Sequence, residues 1–187
     1  RKKGLIFRHP IETAQSTVRE LQPKTDLMIL LSHLSYPKDV ELAQAVSGIH
    51  FIIGGHTGTN LIHPPLIKNT YLFQTAAKGT YAGRLDLSPH NNVLSFYNSS
   101  EKRQLEGRLL YINNRLISKH IPETERAQLR KAKEETERSL AQLRGKSEFT
   151  NIVFPLRDGM KEHPDILKMV EEYKSKYPET EKPASPK

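Results

Sequence analysis

Two short clusters carry the side chains best suited to chemistry. Ser32-His33-Leu34 follows directly on the apolar run Leu27–Leu31, and Gly54-Gly55-His56-Thr57-Gly58-Thr59 follows directly on His50–Ile53. Imidazole is the commonest protein ligand for divalent transition metals. The glycines around His56 let the backbone turn sharply and let a ligand come close. A lone histidine at a strand end is ordinarily a hydrogen-bonded loop residue. Two such ends, one of them set in glycine, make His33 and His56 candidate metal ligands, provided that their strands are neighbours.

The remaining histidines read differently. His9 and His163 each precede a proline at an expected helix start, His50 opens a strand, His63 stands before Pro64-Pro65, and His90 and His120 sit in connections. Capping or surface roles account for all of them. No loop has phosphate-cradling spacing: Gly79 and Gly83 fit neither a dinucleotide nor a P-loop pattern, and Ser32 lies outside a G-x-S-x-G elbow. The chain has no cysteine, which excludes disulfide scaffolds, thiolate-bound metals and thiol catalysis.

The elements that must position the two clusters alternate along residues 4–97. Leu5–Phe7 reads as the end of a strand. Pro10 suits a first helical turn, with Ile11, Ala14, Val18 and Leu21 at helical spacing and Pro23 as a stop. Asp26–Ser32 encloses a continuous apolar run, Leu27–Leu31, the pattern of a strand buried on both faces. Pro37 opens a second helix carrying Val40, Leu42, Ala43 and Val46, and His50–Ile53 is the next buried strand. Tyr71–Thr75, Tyr81–Leu87 and Asn92–Tyr97 complete the strands. Strand–helix–strand order with short loops argues for an α/β fold. In open α/β sheets ligands bind beyond the carboxyl ends of the strands, where both clusters fall.

The composition changes near residue 99. Leu105, Leu109, Ile112 and Leu116 share one helix face, and after Pro122 a charged run carries Leu129, Ala132, Thr136, Leu140 and Leu143 on a narrow stripe up to Gly145. This predicts an αα-hairpin over about 101–119 and 122–144; the Thr and Ala in the stripe argue against a dimerising coiled coil. Phe149–Leu156 reads as extended, a helix runs from His163-Pro164-Asp165 to about Tyr173, and the Pro-, Glu- and Lys-rich stretch 178–187 is expected to be disordered. The expected domains are therefore 1–98, the hairpin 99–148, an extended segment with a linker helix at 149–177, and the tail.

The 187 residues carry 29 Lys and Arg against 21 Asp and Glu, a formal charge of +8. The excess is shared evenly between residues 1–100 and the remainder, with no basic arm and no aromatic platform, which argues against a nucleic-acid module. Leu27–Leu31 is the longest apolar run, far short of the about 20 residues that span a bilayer. The first residue is Arg1, so the chain is expected to be processed, trimmed or cut from something longer.

The ordered set HPIETAQSTVREL, DLMILLSHLS, DVELAQAVSGIHFIIGGHTGT and YLFQTAAKGTYAGRLDLS resembles the second half of the catalytic domain of bacterial 5'-nucleotidases, which are calcineurin-like metallophosphoesterases. The resemblance covers about residues 9–98, and residues 149–173 resemble the segment that leads on towards a nucleotide-specificity domain. It implies a four-layer αββα sandwich, to which the hairpin is appended, and a pair of divalent cations (Zn, Mn or similar) activating water against a nucleotide or other phosphate ester. His33 matches the ligand of an L-S-H-L-G type motif, and His56 the first histidine of a G-H-x-H or G-H-x-Q motif. Gly58 departs from that pattern, standing where the family has His or Gln. The family's D-x-H, G-D and G-N-H-E motifs, which supply the bridging Asp, further ligands and the catalytic His, do not occur in these residues.

Two-metal hydrolysis needs cations held about 3.5–4 Å apart, and two imidazoles are short even of the three protein ligands of a typical catalytic zinc. The expectation is weak metal binding and negligible phosphatase activity for this polypeptide alone, with an upstream half-domain in the same or another chain completing a periplasmic or secreted enzyme. The competing expectation is a non-catalytic relative that acts as a protein-interaction module through its helical hairpin.

Overall fold

A computed structural model describes residue 4, residues 6–118 and residues 120–178. The chain divides into two compact units, Arg1–Pro155 and Leu156–Lys187.

The first unit opens with helix α1 (Pro10–Leu21), where Pro10 fills the first turn, Glu12 lies near the N-terminus and Arg19 near the C-terminus, each favourable to the helix dipole. A 3-10 turn, Gln22–Lys24, stops it at Pro23. Strand β1 (Ile29–Leu31), helix α2 (Tyr36–Ala45), strand β2 (Phe51–Ile53) and strands β3 (Leu66–Ile67) and β4 (Thr70–Phe73) follow. They form one sheet in the order β1-β2-β4-β3. β1, β2 and β4 are parallel, with Ile29 opposite Phe51 and Phe51 opposite Tyr71. β3 pairs antiparallel to β4 in a tight hairpin that the sequence did not announce; Lys68 takes its left-handed position at φ +54°.

Alternation along these short strands feeds two cores. Ile52 and Leu72 face the helices and pack with Val18, Leu42, Ala43, Val46 and Ile49. Phe51, Tyr71 and Phe73 face a second sheet. That sheet consists of β5 (Tyr81–Ser88), β6 (Phe96–Asn98) and β7 (Ser147–Pro155) in the order β5-β7-β6, with β7 antiparallel to β5 and parallel to β6. Phe149 of β7 is completely buried, its ring centroid 4.6 Å from Tyr71, 5.8 Å from Phe51 and 5.6 Å from Phe73. Within the first unit these elements thus stack as helices, sheet and sheet.

The expected strand at Asn92–Tyr97 is shorter and later, Phe96–Asn98. Asn91 and Asn92 adopt left-handed φ values of +46° and +58°, and His90 bridges to Val93 as a turn. The expected strand end at Leu5–Phe7 is corrected: Ile6 and Phe7 belong to no strand and are 89% and 88% exposed, and Leu5 lies outside the described residues.

Between β6 and β7 the chain makes two helices, α3 (Ser99–Ile117) and α4 (Glu123–Leu143). Asn98 caps α3 by accepting from the Ser100 amide at 2.9 Å. The apolar stripes expected at Leu105–Leu116 and Leu129–Leu143 are the buried or half-buried positions, with Ile112 and Thr136 fully inside. The Thr136 hydroxyl donates back to the Ala132 carbonyl at 2.7 Å, which is how a polar residue sits on an apolar seam. Arg115 grips Glu125 with two hydrogen bonds, of 2.7 and 3.1 Å, across the connection.

In the second unit α5 (Pro164–Lys176) has Ile166, Met169, Val170 and Tyr173 on one stripe and no buried residue. The extended part of 149–177 is β7 and belongs to the first unit. The tail expected to be disordered lies, beyond Pro178, outside the described residues. No described helix is long and apolar enough to cross a membrane.

Candidate metal centre

The carboxyl ends of β1, β2 and β4 lie side by side, and their ladder continues one step past the strands. The Ser32 amide donates to the Ile53 carbonyl at 2.9 Å and the Gly54 amide to the Phe73 carbonyl at 2.7 Å. Ser32-His33, Gly54-Gly55-His56 and Gln74 are therefore carried to one edge of the sheet.

His33 and His56 converge there. His33 Nε2 stands 3.4 Å from His56 Nδ1, with the ring centroids 5.0 Å apart and the rings 76° to each other. Two nitrogens bound at about 2.0–2.1 Å to one tetrahedral cation lie about 3.3 Å apart. The pair has the bite of two ligands to a single metal, and both side chains are exposed. Among the described residues, no group of three or more His, Cys, Asp or Glu side chains gathers to hold a metal. The residues present fit two positions of a coordination sphere and leave the others open.

The backbone pays locally for this convergence. His56 has φ +74°, a left-handed conformation that costs a non-glycine residue about 1–2 kcal/mol. Gly55 is needed for close approach, since a Cβ there would stand 3.0 Å from His33 Nδ1. Gly58, at φ +66°, has no room for a side chain: a Cβ would meet the Ala77 Cβ at 2.7 Å and the Ala77 amide nitrogen at 3.1 Å.

Two buried polar residues, unnoticed in the sequence, brace the loops. Gln74, 4% exposed, donates through Nε2 to the Gly55 carbonyl at 3.0 Å and to Thr57 Oγ1 at 3.1 Å. Thr57 Oγ1 also accepts from the Tyr36 amide at the head of α2, at 3.4 Å. Asp39, on the first turns of α2, is 2% exposed and accepts from the Ser32 hydroxyl. Burial raises the Asp39 carboxyl above its ordinary pKa, and the Ser32 hydrogen bond works against that rise. The available signal for Gln74 was its place immediately after the third parallel strand, equivalent to Ser32 and Gly54.

His50 stays away from the site. It accepts the Met28 amide on Nδ1 at 3.0 Å and stacks edge-on to Phe96, and burial lowers its pKa. A groove of about 640 Å³ runs along the free edge of β1 beside α1 and reaches His33. Its lining is mostly apolar, including Ile29, Leu30 and Leu31.

No protein-family model matches the chain. The trifunctional nucleotide phosphoesterase protein YfkN of Bacillus subtilis (strain 168) is 37% identical over 91 residues, which is 46% of this chain and 6% of that protein. The uncharacterized metallophosphoesterase YunD of the same organism is 31% identical over 88 residues, 46% of this chain and 19% of that protein. The matched stretch thus spans less than a fifth of either relative. Both names are those of phosphoesterases, so the resemblance read from the sequence holds over nearly half of the chain.

Proposed function

We propose that residues 9–98 are the C-terminal half of the catalytic domain of a metal-dependent phosphoester hydrolase, acting on nucleotides or related phosphomonoesters in the periplasm or outside the cell. The observation that carries this reading is the 3.4 Å approach of His33 Nε2 to His56 Nδ1 at the ends of neighbouring parallel strands. These two nitrogens would hold one divalent cation, of the Zn or Mn class. Bound there, the cation supplies Lewis acidity towards a phosphoryl oxygen and acidifies water. The protein's own part is to present two ring nitrogens at one edge of the sheet, with Gln74 bracing the loop of His56.

The remaining ligands, including those of the family's other cation, would come from beyond these residues. The surface supports an upstream half-domain in the same or another chain. Ile29, Leu31 and Ile53 share the face of Phe51, the inter-sheet side of the first sheet, yet are 42%, 77% and 39% exposed. The outer face of the second sheet exposes Ile152 and Phe154 at 42% and 39%, as a face would that a fourth, helical layer covers in an αββα sandwich. Burying a side chain of this size contributes about 1.5–3 kcal/mol. Such faces favour completion.

A second reading, a non-catalytic relative working through the hairpin, draws on Leu110, Tyr111 and Ile117, which leave 63%, 65% and 79% of their surface exposed on α3. Phosphate release from a nucleoside monophosphate separates the two. The 187-residue chain alone is expected to be inactive with added Zn²⁺ or Mn²⁺. A polypeptide carrying the domain's other half is expected to turn over only with metal, and to lose activity in His33→Ala and His56→Ala. Undiminished activity in those variants would overturn the proposal, and inactivity of the completed domain would favour the second reading.

A further inference from the structure

Asp39 is a buried carboxylate that meets no cationic side chain among the described residues, and the proposed chemistry makes no direct use of it. Its surroundings explain why it is there. Ser32 Oγ donates to one carboxylate oxygen and itself accepts from the Leu34 amide at 3.3 Å. The hydroxyl thus closes a turn from Ser32 to Leu34 with His33 at its centre. Asp39 Oδ2 lies over Gly54, occupying the space that a Cβ there would need; the two would be 2.5 Å apart. One carboxylate therefore reaches both loops, through the Ser32 hydroxyl one residue before His33 and over Gly54 two residues before His56. It is carried on the opening turns of α2, where the helix dipole favours negative charge and the Asp39 amide is itself fixed on the Ser35 carbonyl at 2.9 Å.

We propose that Asp39 is the positioning residue of the two-histidine site, holding the turn of His33 through Ser32 and setting it against the strand end that carries His56. Burial makes the ionised carboxyl unfavourable, so stability alone does not account for an acid at this position. The inference rests on the metal reading of His33 and His56 and adds a residue to it. Partners behind a metal ligand typically change affinity by about 10–100-fold.

The test is calorimetric titration of the 187-residue chain with Zn²⁺, using Asp39→Ala, Asp39→Asn, Ser32→Ala and His33→Ala, and His33→Ala with His56→Ala as the blank. At least a 10-fold loss of affinity is expected in Asp39→Ala and Ser32→Ala, the scale typical of groups that orient a metal ligand. Asp39→Asn, which still accepts from Ser32, restores most of it. A metal-free readout accompanies the titration: the ring-to-ring NOE between His33 and His56 is lost in Asp39→Ala and retained in Asp39→Asn. Ser32→Ala carries the test if Asp39→Ala does not fold. Unchanged affinity and NOE in Asp39→Ala and Ser32→Ala, with binding still abolished by His33→Ala, would sink the positioning role and leave the metal reading standing. Wild type indistinguishable from the blank would sink both.

Discussion

Gly58 offers a sharp test of the site's architecture, because the family resemblance places a His or Gln ligand where this chain has none. Gly58→Ala is the smallest perturbation. The left-handed φ of +66° costs an L-residue about 1–2 kcal/mol. The new Cβ must also displace Ala77, whose Cβ and amide nitrogen stand at 2.7 and 3.1 Å, and overpacking of this kind costs about 1–3 kcal/mol. Lower entropy of the unfolded chain returns about 0.4–1 kcal/mol. The net destabilisation is about 1–4.6 kcal/mol. With a urea m-value of about 2 kcal/mol/M, the midpoint falls by about 0.5–2.3 M. Adding Ala77→Gly removes much of the clash but not the φ penalty, so about 1–2 kcal/mol persists in the double variant. Gly58→His is expected to lose stability in the same way without gaining affinity for Zn²⁺. A Gly58→Ala midpoint within about 0.3 M of wild type would mean that the Gly58 position tolerates a side chain, as would tighter Zn²⁺ binding in Gly58→His.

Other outcomes follow from the same structure. Phe149→Ala, which empties the shared core of the two sheets, is expected to cost about 3–5 kcal/mol in urea unfolding. Leu31→Ser, on the open edge of β1, is expected to change the stability of this chain by less than about 0.5 kcal/mol, while weakening association with a separately expressed upstream half. The pH dependence of stability has two opposed contributions. His50 has a lowered folded pKa, so the unfolded state binds protons more readily and stability falls as pH drops below about 6.5; His50→Asn flattens that limb of a Tm–pH curve. Asp39 has a raised folded pKa, so its contribution declines as pH rises from about 4. Asp39→Asn is therefore expected to gain on wild type towards neutral pH, and a constant difference across that window would contradict the assignment.

What the sequence made legible was the chemistry at strand ends. Apolar runs closed by Ser32-His33 and by Gly54-Gly55-His56 mark two parallel strands, and parallel neighbours in an α/β sheet bring such ends together. Helix α1 was readable because Pro10, the i, i+3/i+4 spacing and Pro23 agree with one another. The hairpin stripes were readable for the same reason, every level pointing to one period. The strands were overestimated in length, Asp26–Ser32 against Ile29–Leu31, because an apolar run records burial while strand assignment requires a paired neighbour. The two-residue strand β3 left no periodic trace. Asp39 and Gln74 were missed because a polar residue on an amphipathic helix or after a strand reads as solvent-facing. Only the packing of α2 and β4 against the loops makes them interior.

The most direct measurement is anomalous diffraction at the metal absorption edge from crystals of the chain soaked in Zn²⁺. A peak is expected about 2.0–2.2 Å from both His33 Nε2 and His56 Nδ1, with the remaining positions filled by solvent. Zinc bound only elsewhere, or His33 and His56 rings turned apart with no peak between them, would contradict it.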